Sequence, residues 1–225
     1  MTAVFITATG TDIGKTFIAR GMIAELRARG RSVGALKPVI TGFDPRAPQT
    51  SDTGHLLLAL GETLTPERIA AASPYRFRKP LSPDIAARRE GTAIDFAALT
   101  AHSRGAIAAH RDALIIEGIG GIMVPLDDRH TVLDWMIALD LPLILAAGSY
   151  VGTLSHTLTA LDVLDRNALK VTAVVINETP GSAADLDDTA KIIRRFAPGI
   201  EVFALPRLPE GMLDHPVLAW LADMM

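Results

Sequence analysis

The sequence predicts an α/β fold in which a doubly wound, mostly parallel sheet is covered by helices on both faces. Short apolar runs recur along the chain, and amphipathic helical patterns separate most of them. The runs are apolar on both faces, which is typical of parallel strands that are covered on both sides. A chain of 225 residues is long enough for one such unit, so we expect a single domain over residues 1–225.

Six short apolar runs are the predicted strands of this sheet. They are Ala3–Thr7, Ser32–Leu36, Ala113–Ile116, Leu143–Ala147, Val171–Ile176 and Val202–Leu205. Amphipathic patterns predict the helices between and after them, and Gly30 ends the first helix. These helices are expected at Thr16–Arg29, Val132–Ala138, Thr153–Arg166, Ala183–Phe196 and Pro216–Met225.

The alternation of strands and helices is interrupted over Lys37–Arg111. The first part of this segment, Pro38–Thr50, is rich in proline and glycine and predicts a loop. Helical patterns follow near His55–Leu60, Ile85–Glu90 and Phe96–His110. We therefore expect a helical insertion after the second strand rather than a second domain.

The composition excludes several classes of function. The chain has no cysteine, so disulfide frameworks, cysteine-based zinc sites and cysteine nucleophiles are excluded. The net charge is -3 and no block of Lys or Arg occurs, which argues against a nucleic-acid partner. Apolar runs such as Leu141–Ala147 are far shorter than the roughly 20 residues of a membrane span, and no signal peptide is recognisable. We expect a soluble, cytoplasmic protein that does not bind membranes.

A phosphate-binding loop is the strongest local pattern. The segment Thr9–Thr16 reads Thr-Gly-Thr-Asp-Ile-Gly-Lys-Thr and lies between the first predicted strand and the first predicted helix. In such loops backbone N–H groups bind phosphate, a lysine such as Lys15 reaches the outer phosphates, and a threonine hydroxyl binds Mg²⁺. The first glycine of the strict pattern is a threonine here, and a helix cap by Thr11 or Asp12 is the alternative. The expected fold is therefore P-loop NTPase-like.

Two charged residues are expected at the same edge of the sheet. Glu117 follows four apolar residues and precedes Gly-Ile-Gly-Gly, at the strand end where ligands bind in doubly wound folds. Mg²⁺ prefers oxygen ligands, so one or two carboxylates suffice to hold it. Lys37 ends the second predicted strand and is one of five lysines beside seventeen arginines. We expect Glu117 to bind metal or phosphate and Lys37 to serve phosphate or amine chemistry, with solvated strand ends as the alternative.

Several motifs together resemble the dethiobiotin synthetase family, and the resemblance spans nearly the whole chain. They are the phosphate loop, Lys37–Gly42, Ser51-Asp52, Pro80–Pro83, Glu117–Gly121 and Val175–Glu178, in the order of the family. The family converts 7,8-diaminononanoate, carbon dioxide and ATP into dethiobiotin, ADP and phosphate, the penultimate step of biotin synthesis. The resemblance implies an ATP-dependent cyclo-ligase that forms C–N bonds through a carbamate and a carbamoyl-phosphate-type mixed anhydride. It also implies Mg²⁺ as cofactor and a homodimer.

The resemblance further implies roles for individual residues. Lys15 and Lys37 would be catalytic, because they would neutralise charge on the γ-phosphate and the carbamate. Mg²⁺ would be held by Thr16, Asp52 and Glu117. The residues that would bind ATP are Asp12, Ile13, Gly14, Lys15, Thr16, Phe17, Asp52, Glu117, Gly118, Ile119, Gly120, Asn177, Glu178, Pro206, Arg207, Leu208 and Glu210. The diamine would contact Thr11 and Thr41 and, across a dimer interface, Tyr150, Val151, Gly152 and Thr153.

The sequence departs from the family at a few positions, and other classes of P-loop protein remain as alternatives. Ala8 and Gly10 stand at the first and third positions of a loop that usually begins Gly-Thr-Asp-Thr, and Ile119 replaces an alanine. A cobyrinate-type ligase relative would carry a glutaminase domain with a cysteine nucleophile, which this chain lacks. A partitioning-type P-loop ATPase switch would carry an extra lysine about where Gly10 stands. A GTPase would carry an Asn-Lys-x-Asp element, which is absent.

Overall fold

A six-stranded parallel sheet forms the centre of the fold in a computed structural model that describes residues 2–110 and 112–225. The strands in chain order are β1 (Thr2–Ala8), β2 (Val33–Leu36), β3 (Val39–Thr41), β4 (Tyr75–Phe77), β5 (Ala113–Glu117), β6 (Leu143–Gly148), β7 (Val171–Asn177) and β8 (Glu201–Leu205). The order across the main sheet is β2-β5-β1-β6-β7-β8, and every neighbouring pair is parallel. The predicted α/β, P-loop NTPase-like class is confirmed, and so are all six predicted strands.

Helices cover both faces of this sheet. They are α1 (Lys15–Ala28), α2 (Asp52–Ala59), α3 (Pro66–Ala72), α4 (Pro83–Arg89), α5 (Phe96–Ala109), α6 (Val132–Leu139), α7 (Thr153–Arg166), α8 (Leu186–Phe196) and α9 (Pro216–Asp223). Side chains of α1 and α9 pack on one face, while side chains of α5, α6, α7 and α8 pack on the other. Over residues 2–110 and 112–225, none of the helices has the length and apolar character that a membrane crossing requires.

The central strand β1 shows how alternate residues build the two halves of the core. Val4 and Ile6 point to the α1 and α9 face, whereas Ala3 and Phe5 point to the opposite face. Trp135 of α6 meets Phe5 edge to face, with ring centroids 4.9 Å apart and no exposed surface on either residue. The strand on which the phosphate loop begins is therefore held firmly from both sides.

The insertion contains a second sheet, so the prediction of a loop over Pro38–Thr50 is wrong at its start. The strand β3 lies within that segment and pairs in parallel with β4, in the register Val39 to Tyr75. A three-residue strand is too short to display an alternating pattern, and its partner lies far along the chain. Local sequence patterns therefore could not reveal this pairing.

The helix α3 was not among the predicted elements, although its start carries ordinary capping residues. The hydroxyl of Thr65 accepts a hydrogen bond from the N–H of Arg68, Pro66 is the first helical residue, and Glu67 lies in the first turn. Arg111, which ends the predicted insertion, lies outside the described residues. The single-domain organisation stays a prediction.

Helix boundaries differ from the predictions by a few residues at most. The predicted helix Ala183–Phe196 begins at Leu186, because the carboxylate of Asp185 accepts a hydrogen bond of 2.8 Å from the N–H of Asp188 and caps the helix there. The first helix begins at Lys15, one residue before its predicted start. The Asp185 cap therefore explains why α8 begins later than its apolar pattern predicts.

Contact between α1 and α9 gives a test of the packing on this face. A Cβ placed on Gly21 of α1 would lie 2.5 Å from a methyl group of Leu218, which is fully buried in α9. We expect Gly21→Ala to lower the free energy of unfolding by about 1–3 kcal/mol, because overpacking outweighs the better helix propensity of alanine. Urea unfolding of the nucleotide-free protein measures this change.

Gly105 of α5 is the matched control. It also lies inside a helix, but a Cβ added there meets no described atom within 4 Å. We expect Gly105→Ala to raise the free energy of unfolding by about 0.5–1 kcal/mol. A Gly21→Ala variant as stable as Gly105→Ala would contradict the proposed close packing of α1 on α9.

Candidate functional site

The phosphate loop joins β1 to α1 and bends through two left-handed residues. Asp12 has a φ of 55° and Gly14 a φ of 94°. A Cβ on Gly14 would lie 2.5 Å from the side-chain nitrogen of Asn177, so only glycine fits there. Gly14 is also the cap residue of α1, so the alternative of a helix cap by Thr11 or Asp12 is wrong. The first-turn N–H groups of α1 face the loop, as an anion site requires.

Lys15 lies across the mouth of this loop. Its ammonium group donates hydrogen bonds to the carbonyl oxygens of Gly10, at 3.0 Å, and Gly120, at 2.9 Å. Burial, together with the like charge of Lys37, lowers the pKa of Lys15 to about 8. The lysine is therefore placed where phosphate oxygens would replace two neutral carbonyls as its partners.

Lys37 and Glu117 form a buried ion pair at the edge of the sheet. The Lys37 ammonium lies 2.5 Å from a Glu117 carboxylate oxygen and 3.0 Å from an Asp52 oxygen. Burial alone would lower the pKa of Lys37, but the charges of Glu117 and Asp52 outweigh it and raise that pKa. Lys37 is 2% exposed and Glu117 0% exposed, so the alternative of solvated strand ends is wrong for both residues.

Two further oxygen donors adjoin this pair. The hydroxyl of Thr16 donates to the same Glu117 oxygen at 2.8 Å. Asp52, in the first turn of α2, keeps its carboxylate ionised: burial raises its pKa, but the charge of the Lys37 ammonium and its contact with Asp52 outweigh that effect and lower it. Two carboxylates, one hydroxyl and one ammonium thus share a single small volume.

Strand pairing explains why residues so distant in the sequence meet. Leu36 pairs with Ile116 in the β2–β5 ladder, so Lys37, which follows β2, lies beside Glu117, the last residue of β5. Ile6 of β1 pairs with Glu117, and the phosphate loop begins just beyond Ile6. Because all three strands are parallel, their carboxyl ends deliver these groups to one edge, where open α/β sheets bind ligands.

The chemistry of the donor set fits Mg²⁺. One oxygen of Glu117 is buried and makes no hydrogen bond among the described residues, which is costly unless a ligand completes it. Thr16 contacts the other oxygen of the same carboxylate, and Asp52 contacts the Lys37 ammonium that pairs with it. No cluster of three or more His, Cys, Asp or Glu suited to a metal occurs over residues 2–110 and 112–225. A site of two carboxylates and a hydroxyl, completed by water and phosphate, is the kind that Mg²⁺ accepts.

Two clefts meet at the phosphate loop. One has a volume of about 920 Å³ and the other a volume of about 1000 Å³. The first contains the group that we call the charge cluster, which consists of Lys15, Thr16, Lys37, Asp52 and Glu117. Asp12, Ile13 and Gly14 line both clefts, so the loop is their common wall. A ligand whose phosphates lie on the loop therefore has room on either side.

The structure places most of the predicted site residues in these two clefts. The first cleft is lined by Thr11, Asp12, Ile13, Gly14, Lys15, Thr16, Lys37, Thr41, Asp52, Glu117, Ile119 and Gly120. The second is lined by Asp12, Ile13, Gly14, Phe17, Asn177, Glu178, Pro206, Arg207, Leu208 and Glu210. Gly118 lines neither cleft, but its carbonyl accepts a hydrogen bond of 2.9 Å from the Lys37 ammonium.

Four predicted substrate contacts lie away from both clefts. They are Tyr150, Val151, Gly152 and Thr153, at the start of α7. The Tyr150 hydroxyl is 2.9 Å from Nδ1 of His156, and Val151 is 83% exposed. Within one chain these residues therefore do not meet the charge cluster.

Several residues that line the clefts were given no role in the sequence analysis. In the first cleft they include Ile40, Leu81 and Val124, which form an apolar part of its wall. In the second they include Arg20 and Met212. Apolar wall residues have no sequence signature of their own, although Leu81 lies within the Pro80–Pro83 motif and could have been found there.

The fold and the loop define a P-loop NTPase-like protein, and comparison with known proteins narrows the class. A family model described as an AAA domain matches residues 2–212. The ATP-dependent dethiobiotin synthetase BioD of Caulobacter sp. (strain K31) is 45% identical over 208 residues, which cover 92% of this chain and 89% of that protein. BioD of Methylobacterium nodulans is 44% identical over 212 residues, covering 92% and 94%. The chain belongs to the ATP-dependent dethiobiotin synthetase family, whose members are ligases that form C–N bonds.

Solved structures with similar folds are more distant in sequence. The MinC:MinD cell division protein complex of Aquifex aeolicus contains a chain with a TM-score of 0.56 and 11% identity, covering 100% of this chain and 86% of that one. Chloroplast FtsY of Physcomitrella patens has a TM-score of 0.54 and 13% identity, covering 98% and 64%. At such identities the likeness concerns the fold alone.

The lowered pKa of Lys15 can be measured directly, because the chain has only five lysines. In the nucleotide-free protein we expect one lysine to lose its proton with a midpoint of about 8. Burial and the nearby Lys37 charge favour the neutral amine, whereas added pyrophosphate should favour the ammonium and raise the midpoint. NMR titration of ¹³C-lysine-labelled protein measures it, and Lys15→Met should remove that resonance. A Lys15 midpoint at the unperturbed value of about 10.4 would contradict this account of the site.

Proposed function

We propose that this chain carboxylates and cyclises 7,8-diaminononanoate with carbon dioxide and ATP, giving dethiobiotin, ADP and phosphate in biotin synthesis. The observation that carries the proposal is the charge cluster of Lys15, Lys37, Thr16, Asp52 and Glu117 in the first of two clefts that share the phosphate loop as a wall. Membership of the dethiobiotin synthetase family supports the choice of substrates.

The reaction needs three steps that each gather negative charge on oxygen. One amine of the substrate attacks carbon dioxide and loses a proton, which forms a carbamate. A carbamate oxygen then attacks the γ-phosphorus of ATP, which forms a mixed carbamic–phosphoric anhydride and releases ADP. The second amine attacks the anhydride carbonyl, so that the C–O bond breaks, phosphate leaves, a proton is lost and the cyclic urea closes. Fixed positive charges and oriented N–H groups are the means by which a protein stabilises such steps.

The two lysines are placed for these charges. Lys37 reaches into the first cleft, where the carbamate would form, and Lys15 reaches the loop that would hold the outer phosphates. Thr16, Asp52 and Glu117 are the residues that would hold Mg²⁺, which when bound supplies further positive charge beside the phosphates. The apolar wall of Ile40, Leu81 and Val124 offers a surface for the hydrocarbon chain of the diamine.

We assign the second cleft to the nucleoside of ATP. The side-chain nitrogen of Asn177 donates to the carbonyl of Ile13 at 2.5 Å, which leaves the side-chain oxygen as an acceptor. An acceptor at this position suits the amino group of adenine. Glu178 accepts a hydrogen bond of 2.8 Å from the N–H of Arg207 and thereby orders the strand end and the loop that would line the base.

A second copy of the chain would supply the remaining substrate contacts. Tyr150, Val151, Gly152 and Thr153 lie outside the clefts of their own chain, and the start of α7 presents N–H groups that suit a carboxylate. We therefore propose that in a homodimer Tyr150, Val151 and Gly152 bind the distal carboxylate of the diamine in the partner's site, while the buried Thr153 donates its hydroxyl to the Gly148 carbonyl and shapes the turn. The exposed side chain of Val151 is consistent with a surface that another copy covers.

A coupled assay tests the proposal. Purified protein is mixed with Mg²⁺, ATP, bicarbonate and 7,8-diaminononanoate, and ADP and dethiobiotin are followed by mass spectrometry. We expect the two products to appear in equal amounts. Lys37→Met should lower kcat by about 10²–10³-fold, because one fixed charge on the reacting oxygens is lost.

Lys191→Met is the matched control, because Lys191 is an exposed lysine of α8. Its kcat should equal that of the unaltered chain. ATP turnover that is indifferent to the diamine would refute the proposal and favour a nucleotide-driven switch. Equal activity of Lys37→Met and Lys191→Met would refute the role given to Lys37.

A further inference from the structure

Two buried hydroxyl groups are linked by hydrogen bonds to the backbone carbonyl of Lys37, and the mechanism above does not use them. Thr53 and Ser73 are each 0% exposed, and their side-chain oxygens are 2.6 Å apart. The Ser73 hydroxyl also donates to the backbone carbonyl of Lys37 at 2.5 Å. Neither residue lines either cleft, so neither touches a ligand there.

The direction of these hydrogen bonds follows from the number of hydrogens. A serine hydroxyl has one hydrogen, and the Lys37 carbonyl can only accept. Ser73 therefore donates its hydrogen to Lys37, which leaves Thr53 as the donor to Ser73. The result is a directed chain of two hydrogen bonds from Thr53 to the Lys37 backbone, in which each bond polarises the next.

The position of these hydrogen bonds in the fold explains why a side chain must supply the partner of the Lys37 carbonyl. At Lys37 and Pro38 the polypeptide leaves the main sheet after β2 and enters the small sheet as β3. The N–H of Lys37 donates to Ala72 at 3.1 Å, and the carbonyl of Pro38 accepts from Tyr75 at 3.1 Å. The Lys37 carbonyl lies between the two strand ladders, and the Ser73 hydroxyl supplies its partner.

The same chain of hydrogen bonds begins next to Asp52, the second carboxylate that contacts the Lys37 ammonium. Thr53 follows Asp52 in the first turn of α2, where the Ser51 hydroxyl accepts from the N–H of Gly54 at 3.1 Å and caps the helix. The Asp52 carboxylate is 3.0 Å from the Lys37 ammonium. The two hydrogen bonds made by Thr53 and Ser73 thus connect the backbone next to Asp52 with the backbone of Lys37.

We propose that Thr53 and Ser73 are positioning residues, which set the Lys37 ammonium and the Asp52 carboxylate against each other for the reaction. This inference rests on the proposed function for its kinetic consequence. Because neither hydroxyl lines a cleft, their loss should act only through Lys37 and Asp52, and we expect kcat to fall by a larger factor than the KM for ATP changes. A displacement of about 1 Å at a reacting group is enough to cost up to about 10²-fold in rate.

The test compares variants that differ only in a hydroxyl. Thr53→Val removes the first donor with little change of shape, Thr53→Ser keeps it, and Ser73→Ala removes the second. Ser103→Ala is the matched control, because the buried Ser103 hydroxyl likewise donates to a backbone carbonyl, that of Leu99, and accepts from Trp135. Each variant is measured for melting temperature, kcat and KM for ATP. The Lys37 ammonium resonance is recorded in ¹⁵N-lysine-labelled, nucleotide-free protein.

We expect Thr53→Val and Ser73→Ala to lower kcat by about 10-fold or more and to shift the Lys37 resonance. Thr53→Ser should keep the kcat and the Lys37 resonance of the unaltered chain. Ser103→Ala should lower the melting temperature without changing kcat or the Lys37 resonance. The inference is overturned if Thr53→Val and Ser73→Ala only lose melting temperature, as Ser103→Ala does. If the unaltered chain forms no dethiobiotin, the proposed function fails, and the Lys37 resonance alone then decides whether the hydroxyls position this group. If Ser73→Ala does not fold, the Thr53 pair gives the answer.

Discussion

The buried ion pair of Lys37 and Glu117 is the interaction on which the rest of the site depends. A carboxylate with no exposed surface is stable in a protein only when charge and hydrogen bonds compensate for the lost water. Lys37 supplies the charge, and Thr16 supplies a hydrogen bond to the same oxygen. Because Lys37 directly follows β2, Glu117 ends β5 and Thr16 lies in α1, these contacts fix three elements relative to one another at the edge where ligands enter.

This arrangement holds charged groups at positions where a ligand can bind to them. The ammonium groups of Lys15 and Lys37 have carbonyls and carboxylates of the chain itself as partners. A phosphate or carbamate offers stronger partners to the ammonium groups, and a divalent cation offers a stronger partner to the carboxylates. Charged groups that the surrounding chain holds in fixed positions need little reorganisation at the moment of reaction.

Much of this could be predicted from the sequence, for physical reasons that differ between elements. The six strands of the main sheet are buried on both faces, so their apolar runs are continuous and easy to recognise. Lys15, Thr16 and Glu117 could be predicted because a phosphate loop and a strand end have fixed positions relative to a parallel sheet.

The pairing of β3 with β4 joins distant segments through three residues each, and no local pattern in the sequence predicts such a pairing. The apolar wall of Ile40, Leu81 and Val124 was missed for a similar reason, since wall residues resemble core residues. Thr53 lies in the short helix α2 and Ser73 follows the short helix α3, and only the fold brings their hydroxyls together next to the Lys37 carbonyl.

The most direct measurement of the central claim is a double-mutant cycle on the buried ion pair. The free energy of unfolding is measured in urea, without nucleotide, for Lys37→Met, Glu117→Gln and the double variant. Lys37→Met leaves a buried carboxylate without its charge partner and should cost about 3–5 kcal/mol. The double variant should cost less than the sum of the single changes, by about 0.5–3 kcal/mol, because the two groups interact. Single effects that add to within about 0.5 kcal/mol would contradict the claim that this ion pair holds the site together.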